Sequence, residues 1–174
     1  FMMNFNVIVP IFAKQNLGQD AMGYGLLMTS MGIGSLLGAL SLASRSRKGP
    51  KLSLLLGGAA GMSILLVLFG LERNYCLASA NLLAVGFCAI TFTTSVNVTI
   101  QLNTDDNMRG RVMSVFSMVF GGVIPIGSLY SGKTAELLGV PLCLGISGVI
   151  GLSATTIVLL ALRKHKQHNR PSQQ

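Results

Sequence analysis

Charged residues in this chain are confined to short clusters, and the stretches between them are long, apolar and free of Asp, Glu, Lys and Arg. The charge-free runs cover residues 1–13, 21–44, 52–71, 74–104, 112–132 and 137–162. A helix needs roughly 20 apolar residues to cross a hydrocarbon core of about 30 Å. The last five runs reach that length; the first is a partial span. A charge at mid-bilayer costs about 2.5–3.5 kcal/mol on insertion scales, so five such runs in one short chain point to lipid as the solvent. Gly and Pro inside them would weaken helices in water but are tolerated in membranes. The runs predict helices over 22–43, 52–71, 76–100, 112–132 and 139–162, preceded by the end of another at 1–13 and followed by a basic, mobile tail at 163–174.

Composition agrees. Only 10% of the residues are charged and 51% are hydrophobic, whereas a soluble domain carries about 25% charged residues to cover its surface. Twenty-one glycines suit closely packed membrane helices; a disordered Gly-rich chain would be far more polar. The net charge of +8 could indicate nucleic-acid binding, but the cations sit between the apolar runs, where a membrane protein keeps them. No nucleic-acid partner is expected.

The loops set an orientation. Arg45, Arg47, Lys48, Lys51, Arg109, Arg111, Arg163, Lys164, Lys166 and Arg170 fall on one side of the alternating spans, and only Lys14, Arg73 and Lys133 on the other. The positive-inside rule then puts the C-terminus in the cytoplasm and the 15–20 loop outside. The chain begins with Phe1 inside an apolar run, without a basic n-region or cleavage site. The expectation is a piece of a longer protein. Cys76, Cys88 and Cys143 lie scattered in apolar stretches without metal-ligand spacing, and His165 and His168 sit in the basic tail. Neither disulfide, metal nor cofactor is expected.

The span beginning near Cys76 is the most polar. At 100° per residue, Phe92, Val96 and Ile100 form an apolar stripe, and Thr91, Thr94, Asn97 and Gln101 point broadly away from it. Hydrocarbon offers no hydrogen bonds, so this face either lines a substrate cavity or bonds to neighbouring helices; Asn97 is the leading candidate. Asn4 and Asn6 in the first run are weaker ones. Arg109, Gly110 and Arg111, just after Asp105 and Asp106, form a short cytoplasmic turn, read either as topological charge or as a gate that Arg45 and Arg47 would share. Gly34-x-x-x-Gly38 and Gly57-x-x-x-Gly61 put small residues one turn apart for helix packing. Gly121, Gly122 and Pro125 offer a bend. Ile33-Gly34-Ser35-Leu36 recurs as Ile126-Gly127-Ser128-Leu129 in helices of opposite direction, an echo of the kind that inverted three-helix repeats leave.

No Asp, Glu, Lys, Arg or His falls inside a full span; Glu136 lies at an outer helix end. There is no phosphate-binding loop, and no His, Cys and carboxylate converge for catalysis, so direct ATP use and enzyme activity are not expected.

The run Arg109-Gly110-Arg111-Val112-Met113-Ser114, with Pro125-Ile126-Gly127-Ser128-Leu129 and Gly132, resembles the tenth-to-eleventh helix region of the major facilitator superfamily, nearest its enterobactin-exporter-like and macrolide-efflux-like branch. Gly23-Tyr24-Gly25-Leu26-Leu27, leading to Gly32, Gly34 and Gly38, resembles the branch's eighth helix. The resemblance implies the all-α C-terminal six-helix half of a secondary transporter in the cell (inner) membrane, moving a small molecule between two halves by proton-coupled efflux. The other half, N-terminal and also six-helical, would be its partner. The loop 44–51 has the basic residues of the superfamily's cytoplasmic motif without its acidic member, so the resemblance brings no ion-pair latch to it. From the residues alone, a non-transporting membrane scaffold or assembly subunit is the other reading.

Overall fold

The structure is a computed structural model describing residues 5–45 and 52–168. Six helices follow one another: α1 Phe5–Gln15, α2 Ala21–Arg45, α3 Leu52–Leu71, α4 Tyr75–Leu102, α5 Arg109–Leu138 and α6 Val140–His168. No strand occurs among the described residues. Five helices are long and apolar enough to cross a membrane, the candidate spans being Ala21–Ser44, Ser53–Leu71, Tyr75–Leu102, Arg109–Leu138 and Val140–Ala161. This is the all-helical membrane architecture that the charge-free runs imply. Large apolar side chains such as Met22, Leu36, Met118, Leu129, Leu137 and Ile157 are exposed along these helices, a surface that lipid covers and water would not.

The helices overrun the charge-free stretches at several ends. α5 begins at Arg109 and runs through Lys133 and Glu136, with 30 residues giving about 45 Å of length, close to a bilayer with its headgroups included. Charge marks where the hydrocarbon stops, not where the helix stops. For the same reason α6 runs on from the last apolar residues to His168, so residues 163–168 of the expected tail are helical. The run has no Gly or Pro to break it, and cations at a helix C-terminus oppose its dipole favourably. Residues 169–174 lie outside the described chain.

Side chains cap the starts of α2 and α4. Asp20 Oδ1 accepts from the backbone N–H groups of Met22 (3.1 Å) and Gly23 (3.2 Å), two of the donors that a helix start leaves open. Asn74 does the same for α4 through Cys76 N–H at 3.0 Å. Gly139 alone separates α5 from α6, at φ +83°, a left-handed setting that glycine adopts without a side-chain clash.

The chain order does not give the packing order. Among the described residues α2 lies along α4 and not along α3; α3 sits between α4 and α6; α1 touches α2, α5 and α6 and meets α3 through Phe12 and Phe69. The core gathers toward one end of the bundle. Val9 and Phe12 of α1, Leu27 of α2, Met62 and Phe69 of α3, Leu82 and Val85 of α4 and Leu144 of α6 are all fully buried there. The Phe12 and Phe69 rings meet with centroids 4.4 Å apart. At the other end α5 is nearly bare: its buried residues are Gly127, Ser131 and Ala135, all in its second half.

Candidate functional site

Glycine fixes where the polar helix α4 can sit. A Cβ added at Gly34 would collide with the Leu83 carbonyl oxygen, and one at Gly86 with the Met31 carbonyl oxygen. At Gly38 it would meet Ile90 Cγ2 at 2.5 Å and the Phe87 carbonyl oxygen at 2.9 Å. The α2 and α4 backbones therefore touch directly, in the manner of small-residue membrane crossings. Polar groups close the same seam: Ser30 Oγ and Ser79 Oγ share a hydrogen bond of 2.7 Å, Ser35 Oγ donates to Gly86 O at 3.3 Å, and Tyr75 Oη donates to Gly23 O at 3.0 Å. On the α3 side, Gly58 faces Phe92 and Cys88, and Gly61 faces Cys88 Sγ. Gly57 and Gly122 look into open space, while Gly127 is buried.

These contacts orient the α4 polar residues. Projected at 100° per residue, Leu83, Phe87 and Ile90, which α2 meets, fall on the same side as Thr94, Asn97 and Gln101. The candidate face is thus the continuation of the α2–α4 seam toward the end of α4. Phe92 turns toward α3, so the apolar stripe begins against protein and not against lipid. Thr91 separates from the group: it is 8% exposed, its hydroxyl donating to Phe87 O at 2.7 Å. Thr94 and Asn97 are half-buried and Gln101 is exposed.

Several polar groups in the second half of α4 bond back to their own helix. Thr93 Oγ1 donates to Ala89 O (2.9 Å), Asn97 Nδ2 to Thr93 O (2.9 Å), Thr99 Oγ1 to Ser95 O (2.7 Å) and Thr104 Oγ1 to Ile100 O (2.6 Å). Such back-bonding to the preceding turn means that no neighbouring helix is needed to keep these side chains in an apolar setting. Asn97 keeps its Oδ1 acceptor for another partner.

At the α4–α5 turn, Arg109 Nη2 and Asp106 Oδ1 are 2.6 Å apart, with side chains 46% and 86% exposed. The pair is local, joining positions three apart across the helix start, and it bridges no second element. Arg111 and Gly110 are exposed beside it. The Arg45 and Asn6 side chains, and Asn4 and Arg47 entirely, lie outside the described residues. α5 continues as one helix through Pro125. A cleft of about 600 Å³ opens at the α1–α2 connection beside Lys14, Asp20 and Tyr24, at the opposite end from Asn97.

Sequence reasoning passed over Glu72. It lies in the α3–α4 turn, outside every charge-free run, and is half-buried, with Asn81 of α4 donating to it at 2.8 Å. Only the fold, by laying the turn back over the first turns of α4, could reveal it. Glu136, the acid singled out from the sequence, is exposed.

Comparison with known proteins bears on the whole chain. The family described as transmembrane secretion effector matches residues 3–174. The staphyloferrin A transporter of Staphylococcus aureus (strain NCTC 8325 / PS 47) is 24% identical over 169 residues, covering 94% of this chain and 41% of that protein. The chain thus spans about two-fifths of the length of that relative. No solved structure matches. Six helices, an α2–α4 crossing made by glycine and a family match over nearly the full length converge: the chain belongs to the transmembrane secretion effectors of the major facilitator superfamily.

Proposed function

We propose that this chain forms the C-terminal half of a secondary active transporter that exports small molecules across the cell (inner) membrane, with its C-terminus in the cytoplasm. Substrate would pass between this bundle and a second, N-terminal six-helix half, each side of the membrane gaining access in turn as the halves rock. The observation that carries the reading is the α4 polar face. Thr94, Asn97 and Gln101 continue a helix seam while Asn97 Nδ2 donates to Thr93 O of the same helix, so the face can present acceptors and donors to a cargo. The nearly bare α5 supports a partner half. A helix with three buried residues in thirty contributes little to a bundle that is meant to stand alone.

Asn97 is assigned to substrate contact, with Thr94 and Gln101 beside it. Arg109, Gly110 and Arg111 are assigned to a cytoplasmic gate in which Arg111, exposed next to the local Asp106–Arg109 pair, engages the other half. Proton coupling is the driving force we favour, because no ATP-binding loop is present. The test is export from cells carrying the full-length gene, with enterobactin, a macrolide and staphyloferrin A as probes. Asn97→Ala at normal membrane abundance should lower export of the transported probe by about tenfold, the effect of losing roughly 1.4 kcal/mol of substrate interaction. Unchanged export of every probe that the unmodified protein moves would remove Asn97 from the path. Failure of the unmodified protein to move any of them, or other small molecules, would favour a scaffold.

A further inference from the structure

Glu72 and Asn81 make a pair that is one hydrogen short. Asn81 is 7% exposed, and its Nδ2 donates to Glu72 Oε1 at 2.8 Å. The two remaining oxygens, Glu72 Oε2 and Asn81 Oδ1, are both out of reach of solvent and without a hydrogen-bond partner. A carboxylate has no hydrogen to give, and the donors of a carboxamide are all on its nitrogen. With Glu72 ionised, then, the pair makes one hydrogen bond and leaves two buried acceptors unpartnered, one on each side chain. Leaving such groups unpaired is costly.

One proton changes the count. Placed on Oε2, it turns that atom into a donor for Asn81 Oδ1, while Nδ2–H continues to bond Oε1. Carboxylic acid and amide then form a ring of two hydrogen bonds, and both orphaned acceptors are satisfied. We propose that Glu72 and Asn81 form a proton-binding site at the α3–α4 turn, in which a proton taken from solvent is held between Oε2 and Oδ1.

The surroundings favour the neutral acid. Burial pushes the Glu72 carboxyl above the usual range, and the Asn81 bond to Oε1 opposes this only in part. No ion pair to Glu72 exists among the described residues. The charged groups at this end of the bundle are Arg73, the next residue in the chain, Lys14 of α1, Asp20 before α2, and Lys133 and Glu136 of α5, all exposed. The apolar lengths of α3 and α6 bring no acidic or basic side chain here, and Tyr75 of α4 is engaged with Gly23 O. A carboxyl whose value is raised on folding binds its proton more tightly in the folded state. Its contribution to stability is therefore complete below the unfolded value of about 4.3 and is lost as pH rises through the folded value.

The site does not depend on the transport reading, and its test needs no cargo. The full-length protein in mild detergent is melted between pH 4 and 8, as the unmodified chain and as Glu72→Gln. Glutamine supplies an N–H where the proton would sit, so the variant mimics the proton-loaded pair. The unmodified protein should lose melting temperature, relative to Glu72→Gln, as pH rises above about 4.3, and the variant should be at least as stable at pH 8. Infrared difference spectra should show a carboxylic acid C=O band that persists above that pH and is absent from Glu72→Gln. Asn81→Ala, which keeps the carboxyl and removes both its partners, should move that band. Parallel melting profiles for the unmodified protein and Glu72→Gln would overturn the assignment. So would the lack of such a band, or one that Asn81→Ala leaves in place; the spectra of the unmodified protein decide even if a variant does not fold.

Discussion

Replacing Gly34 by alanine should loosen the α2–α4 seam, and its size can be worked from the contact. A Cβ at this position falls inside the 3.0 Å limit that real Cβ contacts respect, and what it meets is the Leu83 carbonyl oxygen, a backbone atom. No side chain can rotate away, so the two helices must separate. The reciprocal contact of Gly86 with the Met31 carbonyl holds them from the other side. Overpacking of this kind costs about 1–3 kcal/mol. Separation also weakens the Ser30–Ser79 and Ser35–Gly86 hydrogen bonds, at about 0.6 kcal/mol each. Alanine returns at most about 1 kcal/mol through its better helix propensity. The net loss is about 2 kcal/mol, or roughly 4–8 °C in melting temperature for a bundle of this size. Gly57→Ala is the control, since nothing lies within 4 Å of its Cβ; it should be neutral or slightly stabilising. The assay is the monodisperse fraction of the full-length protein in mild detergent after heating. A Gly34→Ala variant that melts with or above Gly57→Ala would refute the backbone contact.

Two further outcomes follow from the ends of the helices. Asp20→Ala removes the acceptor shared by Met22 and Gly23 N–H, and should cost about 0.5–2 kcal/mol, read as a lower melting temperature in the same assay. Arg111→Ala should leave membrane abundance unchanged and lower export about fivefold or more, the low end of a site-to-site coupling of 1–3 kcal/mol; normal export would remove the gate.

What could be read in the sequence is what the bilayer dictates one segment at a time. α3 occupies residues Leu52–Leu71, the full extent of one charge-free run. α5 outruns its expected bounds because a helix keeps its geometry after leaving hydrocarbon. Pairing was not legible. Gly34 and Gly38 announce a close approach but not its partner, since α4 is reached only across the whole of α3. Thr91 and Thr94 look alike as letters, three residues apart. Their fates differ because Thr91 is enclosed beside α2 and α3 while Thr94 follows the seam. Glu72 was hidden for a related reason: its hydrogen-bond partner is Asn81, nine residues on, and no spacing rule links a turn residue to a helix interior.

The internal echo acquires meaning from exposure. In Ile33-Gly34-Ser35-Leu36 and in Ile126-Gly127-Ser128-Leu129 the isoleucine and leucine are exposed, the glycine is buried and the serine is half-buried. Most of the helix contacts exchange in the same way. If α1–α3 and α4–α6 trade places, the α2–α4 contact becomes α5–α1, the α3–α4 contact becomes α6–α1, and α3–α6 maps onto itself, all of them observed; the α5–α6 contact, which would become α2–α3, has no counterpart among the described residues. α2 meets α4 from Gly23 to Gly38, whereas the buried residues of α5 are Gly127, Ser131 and Ala135. Ile33 and Leu36 on α2 and Ile126 and Leu129 on α5 are exposed at equivalent positions of the echo, so the two copies present matching apolar edges.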